Sequence, residues 1–102
     1  MKTVLVLGST GSIGKSTLEV LDLHKENFKC IGLSANKNFQ ALHEQANKYS
    51  VKNICIQEGS TLETGIEKNS DIKIYRGSDG QREMIRDINA DIVVVEFQVQ
   101  LA

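Results

Sequence analysis

The sequence predicts an α/β fold in which a doubly wound parallel sheet of about five strands carries helices on both faces. Short apolar runs rich in Val and Ile alternate with segments whose apolar residues recur at helical spacing. Right-handed crossovers restrict such a chain to a parallel sheet covered on both sides. The length of 102 residues allows one small domain with a single core.

Five apolar runs predict the strands, and they are too continuous to have one solvent-facing side. They span residues 3–7, 28–33, 53–56, 72–75 and 92–95. Uninterrupted apolar character over so few residues is typical of parallel strands that are buried on both faces.

Four segments between these runs predict helices, at residues 12–23, 38–49, 60–68 and 78–89. The stripes expected to face the sheet are Ile13, Thr17, Val20 and Leu21 in the first helix, Phe39, Leu42, Ala46 and Tyr49 in the second, Leu62 and Ile66 in the third, and Met84, Ile85 and Ile88 in the fourth. Asn38 precedes the second helix and is a candidate N-cap.

Composition and charge exclude several classes of function. Forty per cent apolar and 25% charged residues fit an ordinary globular protein, and the formal net charge of −1 favours neither nucleic acid nor an anionic membrane as partner. No 18-residue apolar stretch predicts a membrane span. The chain enters a strand-like run at once without a leader pattern, so we expect a cytoplasmic location.

The cysteines and histidines do not form a recognisable metal or redox motif. Cys30 and Cys55 each lie inside an apolar run, so we expect reduced, buried core residues. His24 and His43 lie on helix-like segments without ligand spacing, and we expect them at the surface or its boundary.

A glycine-rich stretch follows the first predicted strand. Gly8, Gly11 and Gly14 are three residues apart and open the first helix, with hydroxyl residues at Ser9, Thr10 and Ser12 between them. Gly8 would close the strand, Gly11 would let a ligand approach the backbone, and Gly14 would let the helix lie close to the sheet. The hydroxyls add donors and a possible helix cap, and the helix N-terminus offers free N–H groups to phosphate.

The spacing G-x-x-G-x-x-G differs from the usual G-x-G-x-x-G, but its position between strand and helix is that of a dinucleotide-binding fingerprint. A turn that binds nothing is the alternative. A P-loop is disfavoured because Ser9 stands where that motif needs its first glycine.

The segment after the second predicted strand indicates which cofactor is bound. NAD-binding folds place an acidic residue there for the ribose 2′-hydroxyl. Here Lys37 stands among the donors Ser34, Asn36 and Asn38, and no acid is present. Positive charge and donors suit a 2′-phosphate, so we expect NADPH rather than NADH; a solvated loop that caps the next helix is the alternative.

Together the two segments resemble a known family. The run from Gly8 to Gly14, followed by Ser-Thr-Leu, and the later Asn-Lys-Asn are similar to the cofactor loops of 1-deoxy-D-xylulose 5-phosphate reductoisomerases, from residue 1 to about 95. The resemblance implies a Rossmann-like NADPH-binding domain. It implies cofactor contacts from Thr10, Gly11, Ser12, Ile13, Asn36, Lys37 and Asn38; the residue pattern adds Gly8, Gly14 and Ser34.

The same resemblance implies an activity and further partners. Family members use NADPH with Mg²⁺ or Mn²⁺ to rearrange and reduce the sugar phosphate to 2-C-methyl-D-erythritol 4-phosphate, an early step of non-mevalonate isoprenoid synthesis, and the parent enzyme is expected to be a homodimer. Its metal and substrate ligands lie beyond the residues matched. We therefore expect cofactor binding without turnover from this chain, and we assign no catalytic or metal-binding residue in it.

The end of the chain departs from the family pattern. Residues 96–102 read EFQVQLA where the family continues with Asn and small residues. We expect a cofactor-binding domain at residues 1–95 and an atypical tail at 96–102, consistent with truncation or a junction. Asp91 and Glu96 flank the last strand and are expected to be solvated strand ends rather than a metal site.

Two other functions stay open at this point. One is the NADP-binding domain of another dehydrogenase family that shares the glycine pattern. The other is a nucleotide-sensing module without enzymatic activity, which would be stable and monodisperse by itself. A domain that lacks part of its enzyme would instead expose the apolar strand at residues 92–95 and tend to associate.

Overall fold

The computed structural model describes residues 1–57 and 71–96. Within these ranges the strands are β1 (Lys2–Leu7), β2 (Phe28–Ala35), β3 (Asn53–Ile56), β4 (Lys73–Arg76) and β5 (Ile92–Val95). The helices are α1 (Ser12–Leu23), α2 (Phe39–Lys48) and α3 (Gly77–Ile88). The helix predicted at residues 60–68 and most of the predicted tail lie outside the described residues.

The five strands form one parallel sheet in the order β4-β3-β2-β1-β5. The chain steps outward from β1 to β4 and then crosses back to place β5 against the free side of β1. The direction of winding therefore reverses beside β1. Ligands of open α/β sheets bind at such a reversal, outside the carboxyl ends of the strands.

Two apolar clusters cover the two faces of the sheet. On one face Val4, Val6 and Leu33 pack with residues of α1 and α2, including Leu18 and Leu42. On the other face α3 covers the sheet, and its cluster is formed by Leu5, Cys55, Tyr75 and Met84. Alternate residues of β1 thus enter opposite clusters, as the side-chain period of a strand requires. The predicted doubly wound sheet with helices on both faces is confirmed.

The predicted buried stripe of α1 is correct at Leu21 and wrong at Ile13 and Val20. Ile13 and Val20 are 55% and 54% exposed, and the helix instead buries Gly14 and Leu18, with Leu21 half-buried beside them. Leu18 does not belong to the predicted stripe, whereas Gly14, which was predicted to let the helix lie close to the sheet, is buried. The α2 stripe is confirmed, since Phe39, Leu42 and Ala46 are buried.

The cysteines are both free, and burial raises the pKa of each thiol to about 11. Cys55 is buried as predicted, whereas Cys30 is only half-buried at the margin of the core. His24 is exposed and His43 is half-buried. Among the described helices, none is long and apolar enough to cross a membrane.

Candidate functional site

A cleft of about 650 Å³ opens at the carboxyl edge of the sheet. It is bounded by the segments that follow β1, β2, β3 and β5 and by the first turn of α3. Its lining residues are Leu7, Gly8, Thr10, Gly11, Ser34, Ala35, Asn36, Lys37, Asn38, Gln57, Gln81, Val95 and Glu96. The two predicted cofactor segments, which are far apart in sequence, therefore share one cavity. Ser12, Ile13 and Gly14 begin α1 but are not lining residues of this cleft, and the Ser12 and Ile13 side chains line a separate hollow on the helix.

Gly8 begins the turn after β1 in a conformation that favours glycine. Its φ is +84°, in the left-handed region that side chains with a Cβ rarely adopt. Its N–H donates to the backbone oxygen of Ser34 at 3.0 Å and contacts the Ser34 hydroxyl at 3.2 Å. Ser34 is 3% exposed. The structure thus gives Ser34 the role of fixing the turn from the end of β2.

Ser9 does not face the cleft, contrary to the expectation that its hydroxyl is a donor for a ligand. Its side chain is fully buried, and its hydroxyl donates to Gln45 Oε1 at 2.8 Å. The Gln45 Nε2 donates in return to the Ser9 carbonyl oxygen at 2.8 Å. Buried hydroxyls are normally paired in this way, and the partner was not visible in the sequence because Gln45 lies 36 residues away.

The remaining two glycines provide space rather than conformational freedom. A Cβ on Gly14 would overlap the Gly8 carbonyl oxygen and the Ser9 backbone, so Gly14 allows α1 to begin directly against the turn. A Cβ on Gly11 would overlap the carboxylate of Glu96. The close approach of α1 at Gly14 fits the predicted role of that glycine, whereas ligand approach at Gly11 stays a prediction, and here the Glu96 carboxylate lies against its backbone.

The N-terminus of α1 accepts a carboxylate. The Ile13 N–H donates to Glu96 Oε1 and the Gly14 N–H donates to Glu96 Oε2, both at 3.3 Å. The helix cap is Gly11, which has no side chain for the task, so the predicted hydroxyl cap is wrong. Unpaired N–H groups and the helix dipole favour a negative charge here. Glu96 is therefore not a solvated strand end.

The segment after β2 presents three polar residues at the other end of the cleft. Asn36, Lys37 and Asn38 are exposed. The Asn38 Oδ1 accepts a hydrogen bond from the Ala41 N–H at 3.1 Å, which confirms the predicted cap of α2. This bond leaves the Asn38 amide NH₂ with donors of its own. Cap and ligand contact are therefore compatible at this residue.

Two glutamines line the cleft without having been predicted. Gln57 follows β3 and donates through its Nε2 to Gln81 Oε1 in the first turns of α3. Neither glutamine belongs to a motif. The sequence could have indicated Gln57 only because it follows a predicted parallel strand, where ligand-contacting residues commonly lie. Asp91, at the start of β5, lies at the opposite edge of the sheet, where its carboxylate accepts from the Thr3 N–H at 2.8 Å.

Metal-ligating side chains do not cluster in the structure described. In residues 1–57 and 71–96, no group of three or more His, Cys, Asp or Glu side chains could hold a metal ion. Glu96 contacts backbone N–H groups, and Asp91 contacts Thr3, where hydrogen bonds from Thr3 lower the pKa of the Asp91 carboxyl. The chemistry that the described cleft supports is recognition of a polar, anionic ligand.

Comparison with known proteins gives the family. Residues 4–99 match the family model of 1-deoxy-D-xylulose 5-phosphate reductoisomerase. The reductoisomerase of Thermoanaerobacter sp. (strain X514) is 38% identical over 101 residues, which are 96% of this chain and 26% of that protein. The enzyme of Ruthia magnifica is 38% identical over 95 residues, covering 92% of this chain and 25% of that protein. The chain thus spans about a quarter of the length of these relatives.

Solved structures show the same fold. The reductoisomerase of Zymomonas mobilis in complex with NADPH superimposes with a TM-score of 0.78 at 32% identity, over 90% of this chain and 24% of that one. A reductoisomerase complex with NADPH, fosmidomycin and magnesium has a TM-score of 0.78 at 24% identity, which supports the fold alone. Since the family model covers nearly all of the sequence, the chain belongs to the 1-deoxy-D-xylulose 5-phosphate reductoisomerase family.

Proposed function

We propose that residues 1–95 form the NADPH-binding domain of a reductoisomerase. The observation that carries the proposal is the anion contact at α1, where the N–H groups of Ile13 and Gly14 donate to a carboxylate that lies against Gly11, which has no side chain. A phosphate oxygen has the same charge and the same acceptor chemistry as a carboxylate oxygen. A group that fits these donors can therefore be a cofactor diphosphate.

The remaining predicted residues surround that contact. Gly8 and Thr10 line the cleft, Gly14 lets α1 begin against the turn at Ser12, and Ser34 holds the turn from β2. Lys37, Asn36 and Asn38 lie on the same cleft and provide a cation and amide donors for a 2′-phosphate. The Zymomonas mobilis relative, solved with NADPH, supports the choice of cofactor. When bound, NADPH supplies the hydride, and this domain binds and orients it.

We propose that the whole protein has the activity of its family. The relatives' name implies rearrangement and reduction of 1-deoxy-D-xylulose 5-phosphate, a sugar phosphate, for isoprenoid synthesis. Mg²⁺ or Mn²⁺ would act in the longer protein, which we expect to be a homodimer. A cytoplasmic location belongs to the same proposal, and two free cysteines fit a reducing compartment.

The experiment is a fluorescence titration of the chain with NADPH and then with NADH. We expect NADPH to bind at least tenfold more tightly, because the NADH ribose lacks the phosphate that Lys37 would contact. Lys37→Ala should weaken NADPH binding about tenfold and leave NADH binding unchanged, since a hydrogen bond to a charged group contributes about 1.5 kcal/mol. Lys29→Ala is the matched control, because Lys29 is exposed near the amino end of β2.

Two results would count against the proposal. If the folded chain, verified by circular dichroism, binds neither nucleotide, the glycine turn is only a structural turn. If both nucleotides bind equally and Lys37→Ala changes neither affinity, the cofactor assignment is wrong at the 2′-phosphate.

A further inference from the structure

We infer that Glu96 is an internal competitor for the phosphate site, so that the chain holds its own anion where the cofactor diphosphate would bind. The inference rests on the proposed function, because it concerns the same N–H groups. It assigns to Glu96 an inhibitory role toward binding, in addition to its place at the end of β5.

The sheet places Glu96 at the turn. β5 pairs with β1 in parallel, with Val95 opposite Leu7, and the Glu96 N–H extends the ladder by donating to the Leu7 carbonyl oxygen at 3.0 Å. The residue after β5 therefore lies beside the residue after β1, which is Gly8. From this position the Glu96 side chain extends across Gly11 to the first turn of α1.

The carboxylate and a phosphate cannot both occupy this position. The Ile13 and Gly14 N–H groups each point at one carboxylate oxygen, and the space over Gly11 is filled by the same carboxylate. A second anion would lack these two donors and would be repelled by the first at short range. Cofactor binding through this turn consequently requires the Glu96 side chain to move away.

The length of the contact sets the size of the effect. Both N···O distances are 3.3 Å, which is longer than the 2.7–2.9 Å that is typical of strong charge-assisted bonds. The side chain is partly exposed, so water and salt weaken its interaction with the helix dipole. The Glu96 carboxylate can thus be displaced. The apparent affinity for NADPH equals the intrinsic affinity multiplied by the fraction of molecules in which Glu96 does not cover the turn.

The test measures NADPH affinity and thermal stability on the same variants. Glu96→Ala uncovers the turn and should tighten NADPH binding roughly three- to tenfold. Glu96→Gln keeps the side-chain length but removes the charge, and should tighten binding by a smaller factor. Without ligand, Glu96→Ala should lower the melting temperature because the Ile13 and Gly14 N–H groups lose the carboxylate that accepts from them.

The matched control is Glu19→Gln, an equal change of charge on the exposed side of α1. It should change neither NADPH affinity nor stability. A tightening by Glu19→Gln equal to that of Glu96→Gln would assign the effect to net charge and overturn the inference. Inorganic pyrophosphate provides a second readout, since it should protect Glu96→Ala against thermal unfolding more than it protects the unmodified chain.

The two proposals fail in different ways. If the unmodified chain binds NADPH and Glu96→Ala binds it equally or less tightly, Glu96 does not compete and only this inference falls. If neither the unmodified chain nor Glu96→Ala binds NADPH, the proposed cofactor site falls with it.

Discussion

Single residues decide how near a ligand can approach the backbone of the turn. Gly11 and Gly14 look equivalent in the sequence, yet a Cβ would meet different neighbours at the two positions. At Gly14 the neighbours are backbone atoms of Gly8 and Ser9, which cannot move without distorting the turn. At Gly11 the neighbour is the end of the Glu96 side chain, which can rotate away.

This difference predicts separate consequences for two alanine substitutions. Gly14→Ala should lower the free energy of unfolding by about 2–3 kcal/mol, the usual cost of overpacking against atoms that cannot yield. Gly11→Ala should cost less, about 0.3–1 kcal/mol, since its φ of −77° suits alanine and the loss is that of the Glu96 contact with α1, and yet prevent NADPH binding. Urea denaturation and nucleotide titration of both variants provide the check. Equal losses of stability would contradict the assigned neighbours.

What the sequence could predict at single positions was limited to local chemistry. The glycine spacing identified the turn, and Asn38 was correctly identified as the α2 cap because capping depends on residues three apart. The roles of Ser9 and Glu96 could not be found in this way, because their partners lie 36 and more than 80 residues away. The sequence does show that Glu96 directly follows a strand. Only the order of strands in the sheet, which places β5 beside β1, shows that Glu96 can reach the turn after β1.

Hydrogen bonds from α2 and from the end of β2 hold the turn after β1 in place. Gln45, on α2, exchanges two hydrogen bonds with Ser9, while Ser34 at the end of β2 accepts from the N–H groups of Gly8 and Ser9. Hydrogen bonds therefore connect the turn after β1 to both α2 and β2. Element boundaries were largely predictable from apolar periodicity, whereas these cross-links were not.

Loss of the α2 cross-link should therefore affect binding at a distance. Gln45→Ala removes the donor to the Ser9 carbonyl oxygen and leaves the Ser9 hydroxyl with the longer 3.4 Å contact to the Ser34 carbonyl oxygen, and the free energy of unfolding should fall by about 1–2 kcal/mol. NADPH affinity should also fall because the turn is less well fixed, although Gln45 does not line the cleft. Gln40→Ala, at an exposed position of α2, is the control and should change neither quantity. Unchanged binding by a destabilised Gln45→Ala would show that α2 does not position the turn.

The molecule as a whole leaves apolar surface on β5. In the described sheet β5 is an edge strand, and its Val93 and Val95 are 44% and 43% exposed. Their register with Leu5 and Leu7 places them on the face that α3 covers, but α3 packs mainly over β3 and β4. An uncovered apolar edge strand is a template for pairing with another chain.

We therefore expect the chain to associate as its concentration rises. Sedimentation velocity should show a concentration-dependent increase in mean mass, and Val93→Thr combined with Val95→Thr should shift the midpoint to higher concentration. Threonine retains the branched shape that suits a strand while reducing apolar area. Thr17→Val, on the outer face of α1, serves as a control for added apolar surface elsewhere. A monodisperse monomer across the range would instead favour a self-sufficient module.

The parallel pairing of β1 with β5 also affects the order in which contacts can form while the chain is being synthesised. Thr3 and Asp91 hydrogen-bond across a separation of 88 residues, whereas the Gly8 turn is fixed by Ser34 only 26 residues on. Contacts of short sequence separation close with a smaller loss of chain entropy, so a nascent chain can build the turn well before its last strand emerges from the ribosome. During synthesis we therefore expect a stage in which the turn after β1 exists and Glu96 has not yet been added to cover it.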